Sequence, residues 1–172
     1  MSIEVLQKRI KIVLSFFFIA LVLSGLTAIP LQWEMTLLNQ WFGNGTFMEQ
    51  LFPSLSHWIT YIHKGLVETY KNYPFIPYGT DWLAFGHIII AISLIGPWRD
   101  PVKNIWVIEY CMIACLLIIP TALIFGSIRG IPFFWRLIDC SFGILGIIPL
   151  WICHHYAKIM QRALEMPASD SL

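Results

Sequence analysis

A chain of 172 residues is long enough for one compact domain, but hydrophobic residues make up 58% of it and charged residues only 12%. That is about half the charged share of ordinary soluble domains, and a water-soluble fold of this size cannot hide so much apolar surface. The formal net charge of +1 supplies neither a basic field for nucleic acid nor an acidic tail, so the chain reads as an all-α, polytopic membrane protein whose partner is the lipid bilayer rather than nucleic acid.

The first span is expected over residues 12–33. From Ile12 to Trp33 no side chain is charged, which exceeds the roughly 20 residues needed to cross a hydrocarbon core of ~30 Å. Lys8, Arg9 and Lys11 stand just before it. The run is too long for the apolar core of a secretory signal, and Leu26 fits badly three positions before a cut after Thr27-Ala28. Ala20, Ser24 and Ala28 recur every fourth residue, a small face suited to close helix approach.

Residues 34–80 change character, with Glu34, Glu49, Lys64, Glu68 and Lys71 spread among many aromatic residues. Leu55, Trp58, Ile59, Ile62 and Leu66 keep helical spacing, so an amphipathic helix is predicted over residues 54–72 with Pro53 in its first turn. An amphipathic, aromatic-rich helix next to spans reads as a cap lying over the extracytoplasmic end of the bundle. Pro74, Pro77 and Gly79 break it.

A second span follows over residues 81–97, with Thr80 as its expected cap and Asp81 in its first turn. The compact turn from Pro97 to Lys103 leads to a third span at 104–126. A second turn, from Ser127 to Pro132, leads to a fourth at 133–157. Short turns imply antiparallel neighbours, so spans two to four form a meander. Pro120 and Pro149 fall inside spans, where each frees a backbone carbonyl. No repeat, low-complexity tract or separate soluble domain is visible, and residues 1–172 read as a single membrane domain.

Lys and Arg counts orient it. Lys8, Arg9, Lys11, Arg99, Lys103, Lys158 and Arg162 share one side, against Lys64, Lys71, Arg129 and Arg136 on the other. The larger set marks the cytoplasm, so both termini are expected there, in a plasma or inner membrane. Trp33, Tyr78, Trp82, Phe134 and Trp135 mark the outer interface, and Trp98, Trp106, Trp151 and Tyr156 the inner one.

Cys111, Cys115, Cys140 and Cys153 all lie in apolar segments, and none forms a C-x-x-C pair. They read as small buried hydrophobes rather than as a disulfide or metal framework. His57 and His63, six residues apart, fall on different helix faces and read as interfacial side chains.

Ionisable groups inside spans are costly and mark sites or helix-locking pairs. Four stand out as ligand or proton-handling candidates: His87, Asp139, Arg136 and Glu109. At ~1.5 Å per residue, His87 and Asp139 each lie on the order of 10 Å below the outer boundary. Arg136 shares a face with Asp139 at i, i+3. His87 shares a stripe with Ala84 and Ala91, and Asp139 one with Gly143 and Gly146, so both are expected to look into the bundle. Glu109 belongs to the inner leaflet, within reach of His154 or His155 or of the basic N-terminus.

No phosphate loop, zinc-protease motif or nucleophile elbow is present, and no motif specifies a cofactor. The leading expectation is a non-enzymatic accessory or binding protein, working with other membrane proteins or as a homo-oligomer. The alternatives are a small transporter or channel-like protein using the His87, Asp139 and Arg136 group, and a haem- or quinone-linked redox protein.

Overall fold

The computed structural model describes residues 2–165, and these hold helices joined by short turns and irregular links, with no strand among them. Eight helices follow in order: α1 Ile3–Thr27, α2 Leu31–Phe42, α3 Phe47–Leu51, α4 Pro53–Asn72, α5 Tyr78–Ser93, α6 Ile95–Arg99, α7 Ile105–Ile128 and α8 Phe133–Glu165. Four stretches are long and apolar enough to cross a membrane: Ile3–Thr27, Tyr78–Arg99, Ile105–Ile128 and Phe133–Glu165. The protein is an all-α, multi-pass membrane protein.

The span boundaries differ from the sequence expectation for identifiable reasons. Helix α1 begins before the basic cluster and ends at Thr27, six residues short of Trp33, because the chain turns at Ala28–Pro30 and restarts as α2. The uncharged run therefore covers parts of two helices. Thr80 is not the cap of α5: the helix starts at Tyr78, and the Thr80 hydroxyl donates to the Pro77 carbonyl at 2.6 Å. Pro97 has no N–H to donate four residues back, so the helix is interrupted at Leu94 and resumes as α6. Helix α8, at 33 residues, is about 50 Å long and exceeds the ~30 Å hydrocarbon core.

The chain forms two compact units. One comprises the residues up to Ala20 with those from Ile90 onward; the other is Leu21–Ile89. In the first, α7 and α8 form an antiparallel pair joined by a turn in which Gly130 has φ +71, a value that L side chains rarely adopt. Gly143 and Gly146 bring the two helices together. A β-carbon at Gly143 would overlap the Cys115 carbonyl oxygen, and one at Gly146 would lie 2.9 Å from Cys115 Sγ. Leu6, Ile10 and Leu14, one turn apart on α1, are buried in the same unit, as are Ala157 and Met160 near the end of α8. The α6–α7 turn is stitched by Asn104, whose Nδ2 donates to the Gly96 and Asp100 carbonyls at 3.2 and 3.0 Å.

In the second unit, α2 and α4 form a helical hairpin with α3 in its turn. Met35 of α2 and Ser56 and Ile59 of α4 are buried. The amphipathic helix thus has the expected period, with Leu55, Trp58, Ile62 and Leu66 half-buried beside Ile59. It packs on α2, a helix absent from the sequence expectation. Thr60 donates to Asn39 Oδ1 at 2.8 Å and accepts from the Asn44 amide at 2.9 Å, tying the turn to α4. Gly45, with φ +85, allows that turn, and its amide donates to Glu49 Oε2 at 2.6 Å.

Candidate functional site

Each of the four intramembrane candidates has defined surroundings. Glu109 stands in the second turn of α7, and His154 lies on α8, the antiparallel neighbour. Their side chains meet with His154 Nε2 2.9 Å from Glu109 Oε1. Both are half-buried, so the pair keeps some contact with its surroundings. Arg9 Nη1 donates to Tyr156 Oη at 3.4 Å in the same unit, and the His155 ring stacks on Trp151 with centroids 5.9 Å apart. Two polar contacts thus tie α8 within this unit, one to α7 through Glu109 and one to α1 through Arg9. An imidazole against a carboxylate can hold or release one proton without leaving either partner alone.

Arg136 takes a different partner from its neighbour Asp139. Its stem covers Gly126, where an added β-carbon would lie 2.5 Å from Arg136 Cδ. Nη1 donates to the Leu123 carbonyl at 3.3 Å, the guanidinium lies 5.4 Å from the Phe133 ring centroid, and Nε is buried without a partner among the described residues. The cation thus sits beside the C-terminal part of α7, the negative end of the helix dipole. Among the described residues Asp139 has neither an ion pair nor a hydrogen bond, so the expected Arg136–Asp139 pair does not form. Side-chain direction explains this. Long helical side chains lean toward the helix N-terminus, which carries Arg136 away from Asp139 and back to the end of α7.

His87 belongs to the other unit. Its Nδ1 is 2.8 Å from the Leu83 carbonyl, so the proton of the neutral ring resides on Nδ1 and Nε2 keeps its lone pair. Ala84 and Ala91, the small residues of its stripe, are buried. The close approach is supplied by Gly25 of α1, where a β-carbon would lie 2.8 Å from His87 Cβ and 3.0 Å from the Ala84 carbonyl oxygen. The small face expected from Ala20, Ser24 and Ala28 is thus displaced by one position: Ala20 and Ser24 are exposed, and Gly25 is buried.

All four cysteines are free and buried. Among the described residues no group of three or more His, Cys, Asp or Glu side chains could hold a metal ion. Sequence reading missed the hairpin tip. There Trp41 and Phe47 are exposed at 73% and 70%, with Leu51 and Phe52 also exposed. The available signal was the spacing of Leu31, Met35, Leu38 and Phe42, one helical face that makes α2 a partner for α4 and its end a tip.

Comparison with models of known protein families, with curated proteins and with solved structures finds no match.

Proposed function

We propose that this chain is a non-enzymatic accessory or binding protein of a plasma or inner membrane. Both termini lie in the cytoplasm, and the α2–α4 hairpin contacts another membrane protein or a second copy on the opposite side. The observation that carries this reading is the hairpin tip. Its helices bury Met35, Ser56 and Ile59, yet Trp41, Phe47, Leu51 and Phe52 remain exposed within a single turn region. Clusters of exposed large apolar side chains mark interaction surfaces, and aromatic anchors dominate the energetics of such surfaces. The Lys and Arg distribution supports the orientation.

The test is a photo-crosslinking amino acid in place of Phe47, activated in intact membranes. A discrete protein adduct, lost when Trp41→Ser is added, supports the reading; adducts with lipid alone overturn it. Orientation is read separately. Lys64→Cys reacts with a membrane-impermeant maleimide in intact cells, whereas Lys103→Cys reacts only after permeabilisation. The reverse pattern inverts the topology.

A further inference from the structure

Helix α1 carries Lys8, Lys11, Ser15 and Phe18 at steps of three or four residues, one face that passes from cationic to apolar. In the same unit this face meets α6. Between them lies a groove of about 300 Å³, walled by Leu14, Phe18, Ile19 and Ile95 and closed at its polar end by Ser15 and Trp98. That volume is at the lower end of small-molecule sites. Trp98 Nε1 donates to Ser15 Oγ at 3.0 Å, which fixes the indole and leaves the Ser15 hydroxyl its own proton to donate. Lys11 Nζ stands 4.9 Å from the centroid of the same indole. Among the described residues no carboxylate pairs with Lys11.

We propose that this groove binds one acyl chain of an anionic phospholipid, whose phosphate is held at the polar end by Lys11 and Ser15. Depth supports this occupant. Lys11 is the last charged residue before the uncharged stretch of α1, and Phe18 lies about 10 Å farther along the helix. The groove therefore begins at headgroup level and descends through the depth of the upper acyl chain. Its rim residues Ile19 and Ile95 are exposed, and on a span an exposed aliphatic rim is open to lipid. The basic end selects the headgroup: Lys8 lies one turn above Lys11, and Arg99 follows Trp98 on α6. Basic side chains between spans at the cytoplasmic interface recognise anionic headgroups. An ammonium resting on an indole face keeps N–H donors for a phosphate while its charge is already oriented. The proposal is independent of the role assigned to the α2–α4 hairpin.

The test is native mass spectrometry of the full chain in neutral detergent, with dioleoylphosphatidylglycerol or dioleoylphosphatidylcholine added at equal concentration. The wild type retains one phosphatidylglycerol and several-fold less phosphatidylcholine. Lys11→Gln lowers phosphatidylglycerol retention about fivefold, the factor for one basic side chain at an anionic surface, and leaves phosphatidylcholine unchanged. Ile95→Trp, which fills the groove, lowers both, and the control Lys71→Gln, on α4, lowers neither. Excess glycerol 3-phosphate displaces nothing. Equal retention of the two lipids by the wild type overturns the proposal, as does full retention by both groove variants. Displacement by glycerol 3-phosphate overturns it too, because that identifies a site for a free anion rather than for a lipid.

Discussion

Gly143→Ala tests whether α7 and α8 approach backbone to backbone. The added carbon would overlap the Cys115 carbonyl oxygen and lie 3.3 Å from Ile118 Cβ. Neither is the movable end of a flexible side chain, so helices of 24 and 33 residues must part locally. Forcing an extra carbon into a packed contact costs about 1–3 kcal/mol, and opposition by backbone places this case at ~2 kcal/mol. Alanine is better than glycine inside a helix by ~1 kcal/mol, which offsets part of that. The net loss is ~1 kcal/mol, roughly a fivefold fall in the ratio of folded to unfolded protein. Gly65 provides the control. It lies in α4 with open space where a β-carbon would go, so Gly65→Ala should be neutral or stabilising by up to ~1 kcal/mol. The assay is reversible unfolding in mixed micelles, titrated with a denaturing detergent and followed by circular dichroism. A Gly143→Ala protein as stable as Gly65→Ala would refute the close approach.

A double-mutant cycle on Glu109→Ala and His154→Ala should give a coupling of about 0.5–1.5 kcal/mol, as for one hydrogen bond made across two helices; zero coupling would mean the 2.9 Å contact contributes nothing. Arg136→Ala should destabilise by about 1–2 kcal/mol, through loss of its bond to Leu123 and of a cation at the end of α7. Asp139→Asn should cost less than Arg136→Ala, and the opposite order would restore the ion pair expected from their i, i+3 spacing. Because all four thiols are buried, maleimide should label the folded protein in mild detergent slowly at every cysteine. Denaturing detergent should release all four together, and rapid labelling of any one in the folded state would contradict the packing of its helix.

What the sequence disclosed and what it withheld divide along one physical line. Spans were legible because avoidance of charge over a bilayer's thickness leaves a mark on every residue of a run, and α7 keeps that mark despite Pro120 in its interior. His154 was legible as one of three partners open to Glu109, beside His155 and the basic N-terminus, for a related reason: antiparallel neighbours joined by a short turn place residues of equal depth side by side. The same counting failed for Arg136, whose partner is a main-chain carbonyl in the C-terminal part of α7. Every residue type carries that group, so composition cannot reveal it. Spacing had offered Asp139, but the lean of helical side chains toward the N-terminus turns Arg136 the other way. Helix α2 was obscured differently, since its apolar first turn continues the uncharged run of α1 and only the backbone turn at Ala28–Pro30 separates them. A hydrophobic run reports that its residues avoid water, and a break in direction leaves that property unchanged. A second reversal, through Gly43–Thr46 and α3, is what brings α4 back on α2 and makes a hairpin with a buried seam and an exposed aromatic tip. The feature on which the functional reading rests is therefore set by chain reversal rather than by residue type.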